Sequence, residues 1–119
     1  MANEGRITVN ASFTKSGTTE SKNLTDTFDV ASAIFNKARQ TIGTSDETLA
    51  LGDVSSLGFI VAHNCDATNY IELGYTSGTY AIKLKAGEIC GFRAGSGMSA
   101  IHAKANTGSC DLEYFLISD

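Results

Sequence analysis

Two histidines, three cysteines and a scatter of paired carboxylates are the groups in this 119-residue chain that could do chemistry. A hydrolytic centre needs a nucleophile, a base and an orienting group that converge on one point. His63, Cys65 and Asp66 can be drawn as a Cys–His pair, but near neighbours at a strand-to-loop junction usually face apart, so the expectation is that they do not converge. His63 and His102 each stand near the end of a predicted strand and read as satisfied surface or core histidines. Asp46/Glu47 and Asp111/Glu113 offer paired carboxylates of the kind that glycosidases use. Asp111 and Glu113 share one face of the last predicted strand, where their expected role is to keep an outer surface solvated. The oxygens of Asn64, Asp66 and Asn69 suit calcium, yet the dense Asp-x-Asp-x-Asp pattern is missing and a turn accounts for them. Gly91–Gly97 spells GFRAGSG, but neither a GK[ST] nor a helix follows, so it reads as a hairpin loop and not a phosphate cradle. Tyr70 and Tyr114 could stack on a sugar, although their place in alternating strands favours core or interface packing.

Cys65, Cys90 and Cys110 are odd in number and have neither CxxC nor Cys/His metal spacing. Reduced, buried thiols are the expectation, with a disulfide between subunits, or one internal pair plus a free thiol, as the alternatives. The residues therefore predict no catalytic, cofactor-binding or metal-binding site, and a protein that is not an enzyme.

Composition narrows the class. At 119 residues and 42% hydrophobic content the chain suits one domain with one core. A formal charge of -4 and a pI near 5.0 disfavour attraction to nucleic acid or to an anionic membrane. Lys83, Lys85, Arg93 and Lys104 could share a region, but interleaved acids dilute them into a solvated face. Met1–Gly5 is polar, and neither a basic-then-apolar leader nor an apolar run of about 18 residues occurs. Synthesis in a cytosol with no membrane partner is the expectation. Twelve Gly, no Pro, no Trp and 25 Ser plus Thr suit an all-β protein with many short turns and little helix.

The elements that must position these groups follow from period-two alternation. Ile7, Val9, Ala11 and Phe13 fall on one face of a first strand. Ser16-Gly17-Thr18 turns into a polar strand, Thr18 to Lys22, of edge or arm character, and Thr25 to Val30 alternates again with Phe28 and Val30 inward. Residues 30–42 fit either a helix capped by Asp29 or a strand from about Phe35 to Gly43, and the strand is the expectation. Glu47–Leu51 and Leu57–Ala62 follow. The second is apolar at nearly every position, as a central strand covered on both sides would be, by the opposing sheet or a neighbouring subunit. Residues 63–69 read as a loop, Tyr70–Tyr75 and Thr79–Leu84 as a hairpin, then Ile89–Arg93, Met98–Ala105 and Cys110–Ile117 as the last three strands. Strands at about ten-residue spacing predict a single-domain antiparallel β-sandwich or jelly roll, with residues 1–24 as an N-terminal strand and arm and 25–119 as the sandwich.

Four stretches carry a resemblance: 43–54 (GTSDETLALGDV), 64–74 (NCDATNYIELG), 84–89 (LKAGEI) and 103–114 (AKANTGSCDLEY). They resemble small structural proteins of tailed bacteriophages, over about two-thirds of the chain, with the N-terminal third departing most. The resemblance implies a virion component: a capsid cement or decoration protein that binds between major capsid protein subunits, or a small tail or fibre part. It also implies self-association, with a homotrimer the natural form for jelly rolls in shells, and carries over no functional residue. A free carbohydrate-binding or adhesion module is the remaining alternative.

Overall fold

The computed structural model describes residues 3–119. They fall into two compact units, the first ending at Ala31 and the second running from Ser32 to Asp119. Met1 and Ala2, the start of the expected arm, lie outside the described residues.

The first unit is one long β-hairpin. Strand β1 (Gly5–Lys15) pairs antiparallel with β2 (Thr18–Phe28) in unbroken register from Gly5↔Phe28 to Lys15↔Thr18. Ser16 (φ 52) and Gly17 (φ 82) both adopt the left-handed conformation that a two-residue hairpin turn needs to match strand twist. The two segments read from sequence as separate, Thr18–Lys22 and Thr25–Val30, join in one strand that ends at Phe28, because β1 continues opposite them and Asn23 and Leu24 pair with Asn10 and Val9. The expected boundary after Leu24 thus falls inside β2, and the chain divides after Ala31.

The second unit holds β3 (Phe35–Ile42), β4 (Glu47–Thr48), β5 (Leu57–Asn64), β6 (Ile71–Gly74), β7 (Ile82–Leu84), β8 (Ile89–Arg93), β9 (His102–Ala105) and β10 (Cys110–Ser118). They form two four-stranded antiparallel sheets, ordered β3-β10-β5-β8 and β4-β9-β6-β7. The first strand of this unit pairs with the last, the second with the seventh, the third with the sixth and the fourth with the fifth. That nesting, a chain doubled on itself and then rolled into two sheets, is jelly-roll topology. The protein is an all-β antiparallel sandwich.

Among the described residues, the core lies in this second unit. Ile42, Ile60, Ala62, Cys110, Leu112, Tyr114 and Leu116 face it from one sheet, and Ile71, Leu73, Leu84, Ala103 and Ala105 from the other. Each buried Ile or Leu contributes about 2 kcal/mol of transfer free energy. Pairing of β3 with β10, from Phe35↔Ile117 to Ile42↔Cys110, settles the helix-or-strand ambiguity of residues 30–42, since a helix could not complete that ladder. β5 is interior to its sheet as expected, but only its Leu57, Ile60 and Ala62 side is fully buried. Phe59 and Val61 turn to the outer face and stay half-buried.

Candidate functional site

Two surfaces stand out, one on each unit. On the hairpin, alternation and register put Ile7, Val9, Ala11 and Phe13 of β1 on the same face as Leu24 of β2, with Glu20, Lys22 and Asp26 filling the other β2 positions. Val9 is 46% exposed, Phe13 56% and Leu24 57%. The opposite face is a polar ladder of matched pairs: Thr8↔Thr25, Asn10↔Asn23, Ser12↔Ser21 and Thr14↔Thr19. The hydroxyls of Thr8 and Thr25 hydrogen-bond, and those of Thr14 and Thr19 lie 3.2 Å apart. Such like-on-like hydroxyl pairs hold register and cost no charge repulsion. The β1 side of this stripe was legible from alternation alone, but Leu24 lay between a segment read as a polar edge, Thr18–Lys22, and the alternating Thr25–Val30, so its place in the stripe appears only with the register Val9↔Leu24.

The second surface is the outer face of β3-β10-β5-β8. Its apolar half contains Phe35, Phe59, Val61, Phe115 and Ile117. Phe35 and Phe115 meet edge-to-face at 6.1 Å, and the Arg93 guanidinium lies 4.8 Å from the Phe59 ring centre. Its polar half begins in a groove of about 580 Å³ lined by Lys37, Arg39, Val61, His63, Glu113 and Phe115.

In that polar half the structure brings together residues expected to face apart. Backbone pairing of β5 with β10 continues past His63↔Glu113, through the Cys65 N–H donating to the Asp111 carbonyl oxygen at 2.9 Å. His63 and Cys65, two apart on an extended strand, therefore share the outer face with Asp111 and Glu113. His63 Nδ1 lies 3.3 Å from Glu113 Oε1 and 3.6 Å from Cys65 Sγ. Asp111 is engaged elsewhere: Thr41 Oγ1 donates to Oδ1 at 2.8 Å, and Arg39 Nη2 to Oδ2 at 3.2 Å. The Thr41 hydroxyl, then the Arg39 charge, hold the Asp111 carboxyl below its usual range. The sequence signal was His-x-Cys at strand spacing, hidden because the polar run from His63 to Asn69 reads as loop.

The remaining candidates are used internally. Asn64 is fully buried, and its amide nitrogen donates to the carbonyl oxygens of Asn69 (2.9 Å), Leu84 (3.0 Å) and Lys85 (3.2 Å) while its Oδ1 accepts from the Asp66 N–H at 2.9 Å. Asp66 Oδ2 accepts the N–H groups of Asn69 (2.6 Å) and Thr68 (2.9 Å), which lower its pKa, and Asn69 Oδ1 accepts from Thr107. The trio considered for calcium is a loop that spends its oxygens on its own chain. Asp46 and Glu47 point apart: Asp46 accepts from Tyr80 (2.5 Å) and faces His102 Nδ1 (2.9 Å), whereas Glu47 accepts from Gln40 (3.0 Å) and the Gly43 N–H (2.9 Å). The Asp46–Tyr80–His102 cluster was missed from sequence because its members are 22 to 56 residues apart. Tyr114 is buried, with its hydroxyl 2.7 Å from the Ala50 carbonyl oxygen, so it cannot stack on a sugar beside Tyr70, which carries the Lys83 ammonium 4.1 Å from its ring centre. Of the four basic residues considered together, Lys83 and Lys104 flank Glu72 in one sheet, Arg93 in the other pairs with Asp119 at 3.0 Å, and Lys85 follows the end of β7. Cys110 is buried and Cys90 partly so, and burial raises both thiol pKa values; none of the three cysteines is in a disulfide.

No protein-family model, curated protein or solved structure matches this chain.

Proposed function

We propose that this chain is a non-enzymatic virion structural protein, a capsid cement or decoration protein that stabilises a bacteriophage head by binding between major capsid protein subunits. The observation that carries the reading is the hairpin. A two-stranded ribbon alone in water is marginal at best. This one nevertheless keeps its pairing unbroken along all of β1 and β2, a length of about 35 Å, and leaves Val9, Phe13 and Leu24 about half exposed. A ribbon so specified and so bare gains stability by covering its stripe with a partner surface.

The stripe is bounded by Glu20, Lys22 and Asp26, a mixed-sign rim suited to contact with copies of the same chain or with a shell protein. A homotrimer would let ribbons cover one another around a three-fold axis and present equivalent surfaces to a symmetric shell. The jelly roll adds support by analogy at the level of the fold, since capsid domains use it, as lectins do. Cementing needs no turnover, only interface, on the order of 800 Å² per partner. The sandwich's outer apolar half, Phe35, Phe59, Val61, Phe115 and Ile117, supplies a second candidate contact.

The test has two arms. Light scattering with and without reductant measures self-association, and a trimer in both conditions is expected. Heads assembled without the protein are then mixed with it. Saturable binding in proportion to the shell subunits, with a raised disruption temperature, supports the reading. Heads that neither bind it nor gain stability overturn it, and binding confined to tails moves the protein to that structure.

A further inference from the structure

We infer that His63, Cys65 and Glu113 form a zinc-binding site on the outer face of the sandwich. The ligand atoms of these three residues all lie within 4.8 Å of one another. The separations, 3.3 Å between His63 Nδ1 and Glu113 Oε1 and 3.6 Å between His63 Nδ1 and Cys65 Sγ, can be set against tetrahedral zinc. Bond lengths of about 2.0–2.1 Å to nitrogen or carboxylate oxygen and about 2.3 Å to sulfur put the N···O edge near ~3.3 Å and the N···S edge near ~3.6 Å. Two edges of the coordination polyhedron are thus already present, and a small rotation of side chains brings the third to length.

The same geometry excludes a catalytic relay. In a Cys–His–acid relay the nucleophile and the acid engage opposite nitrogens of the imidazole, so that one takes a proton while the other orients the ring. Here the thiol and the carboxylate both reach Nδ1. One nitrogen cannot serve both, whereas a shared cation is what lets three donors converge on one point.

Neighbouring charges leave Glu113 available. Arg39 is its direct partner on β3, yet the guanidinium is drawn to Asp111, whose second oxygen takes the Thr41 hydroxyl. The backbone supports the donors from below. Asn64, between His63 and Cys65, is locked into the core by its amide bonds, so the strand cannot twist its two outward neighbours apart. Thiolate, imidazole and carboxylate together suit zinc, which takes all three, and disfavour magnesium and calcium, which take oxygen. Binding transfers the Cys65 thiol proton to solvent as the sulfur–metal bond forms, with no change of oxidation state. A fourth position opens toward the groove, where water completes the shell.

The experiment uses the full chain, reduced and stripped with chelator, titrated with cobalt(II) as a spectroscopic stand-in for zinc. The expected result is a saturable one-to-one spectrum with a thiolate-to-cobalt charge-transfer band, bleached by added zinc, and a zinc-dependent rise in the melting temperature. C65S loses the band, and H63A and E113Q each lose saturable binding; C90S retains both. Because Glu113 is exposed and His63 and Cys65 are only partly buried, circular dichroism of each variant should match the parent. Absence of the band in the parent, or its persistence in C65S, overturns the site. Neither result depends on whether the protein binds capsids.

Discussion

His102 Nδ1 lies 2.9 Å from Asp46 Oδ2, tying the start of β9 to the residue just before β4, and the Tyr80 hydroxyl donates to the other carboxylate oxygen. The hydrogen bonds from Tyr80, then from His102, favour the charged carboxylate and hold the Asp46 pKa below its ordinary value. Asp66 and Asp111 are lowered as well, by backbone N–H groups and by Thr41 with Arg39. A depressed folded pKa contributes stability that is fully present above the unfolded value, about 3.9, and is lost as pH falls through the folded value. The urea midpoint should therefore be flat near neutrality and decline on acidification below about pH 4. Asp46→Asn should lower the midpoint at pH 7 and flatten part of that decline. An unchanged acid limb in the variant would remove Asp46 from the account.

Asn64 is a larger lever, because it is fully buried and its amide joins the carbonyl oxygens of Asn69, Leu84 and Lys85. Truncation leaves those acceptors without their donor in a site closed to bulk water. Asn64→Ala should cost about 3 kcal/mol in urea denaturation. Asn64→Asp, nearly the same shape but unable to donate when ionised, should be at least as damaging. A small effect of the second change would mean that water replaces the amide.

Gly74 ends β6 where the chain passes closest to the turn that follows. A Cβ there would stand 1.9 Å from the Thr79 carbonyl oxygen, which is backbone and has no rotamer to yield. Gly74→Ala should destabilise the sandwich by about 3 kcal/mol through forced backbone movement. Gly95→Ala is the matched control: a Cβ there meets nothing within 4 Å, and thermal denaturation should separate the two variants cleanly.

The hairpin makes the opposite prediction for stability. Every residue of the hydrophobic core lies in 42–116, so removing residues 1–31 should leave cooperative unfolding with a midpoint close to that of the parent. Phe13→Ser with Leu24→Ser should likewise spare the sandwich while reducing self-association measured by light scattering, because the change is confined to half-exposed positions. Wild-type oligomer in that double variant would move the interface to the outer sheet face.

Most of the strands were legible because period-two alternation is a local property: Ile7 to Phe13 declares a face without help from the rest of the chain, as do Asp111 and Glu113 in the last strand, whereas Leu57 to Ala62, apolar at nearly every position, declares a strand but not its inward side. Local chemistry also announced the turn at Ser16-Gly17. Strand ends were less legible. Glu47–Leu51 and Met98–Ala105 shrink to Glu47–Thr48 and His102–Ala105, since where a ladder stops depends on the partner strand and not on propensity.

By itself, then, the sequence determined an antiparallel all-β sandwich with short connections, and which side chains of most strands are apolar. Only the tertiary structure decided the nesting of first strand with last, the fusion of a polar and an alternating segment into β2, and the meeting of His63, Cys65 and Glu113. The physical reason is range. Alternation and turn preference act over a few residues, whereas register joins residues 50 apart, such as His63 and Glu113, and a one-residue slip of either strand would send these side chains to opposite faces.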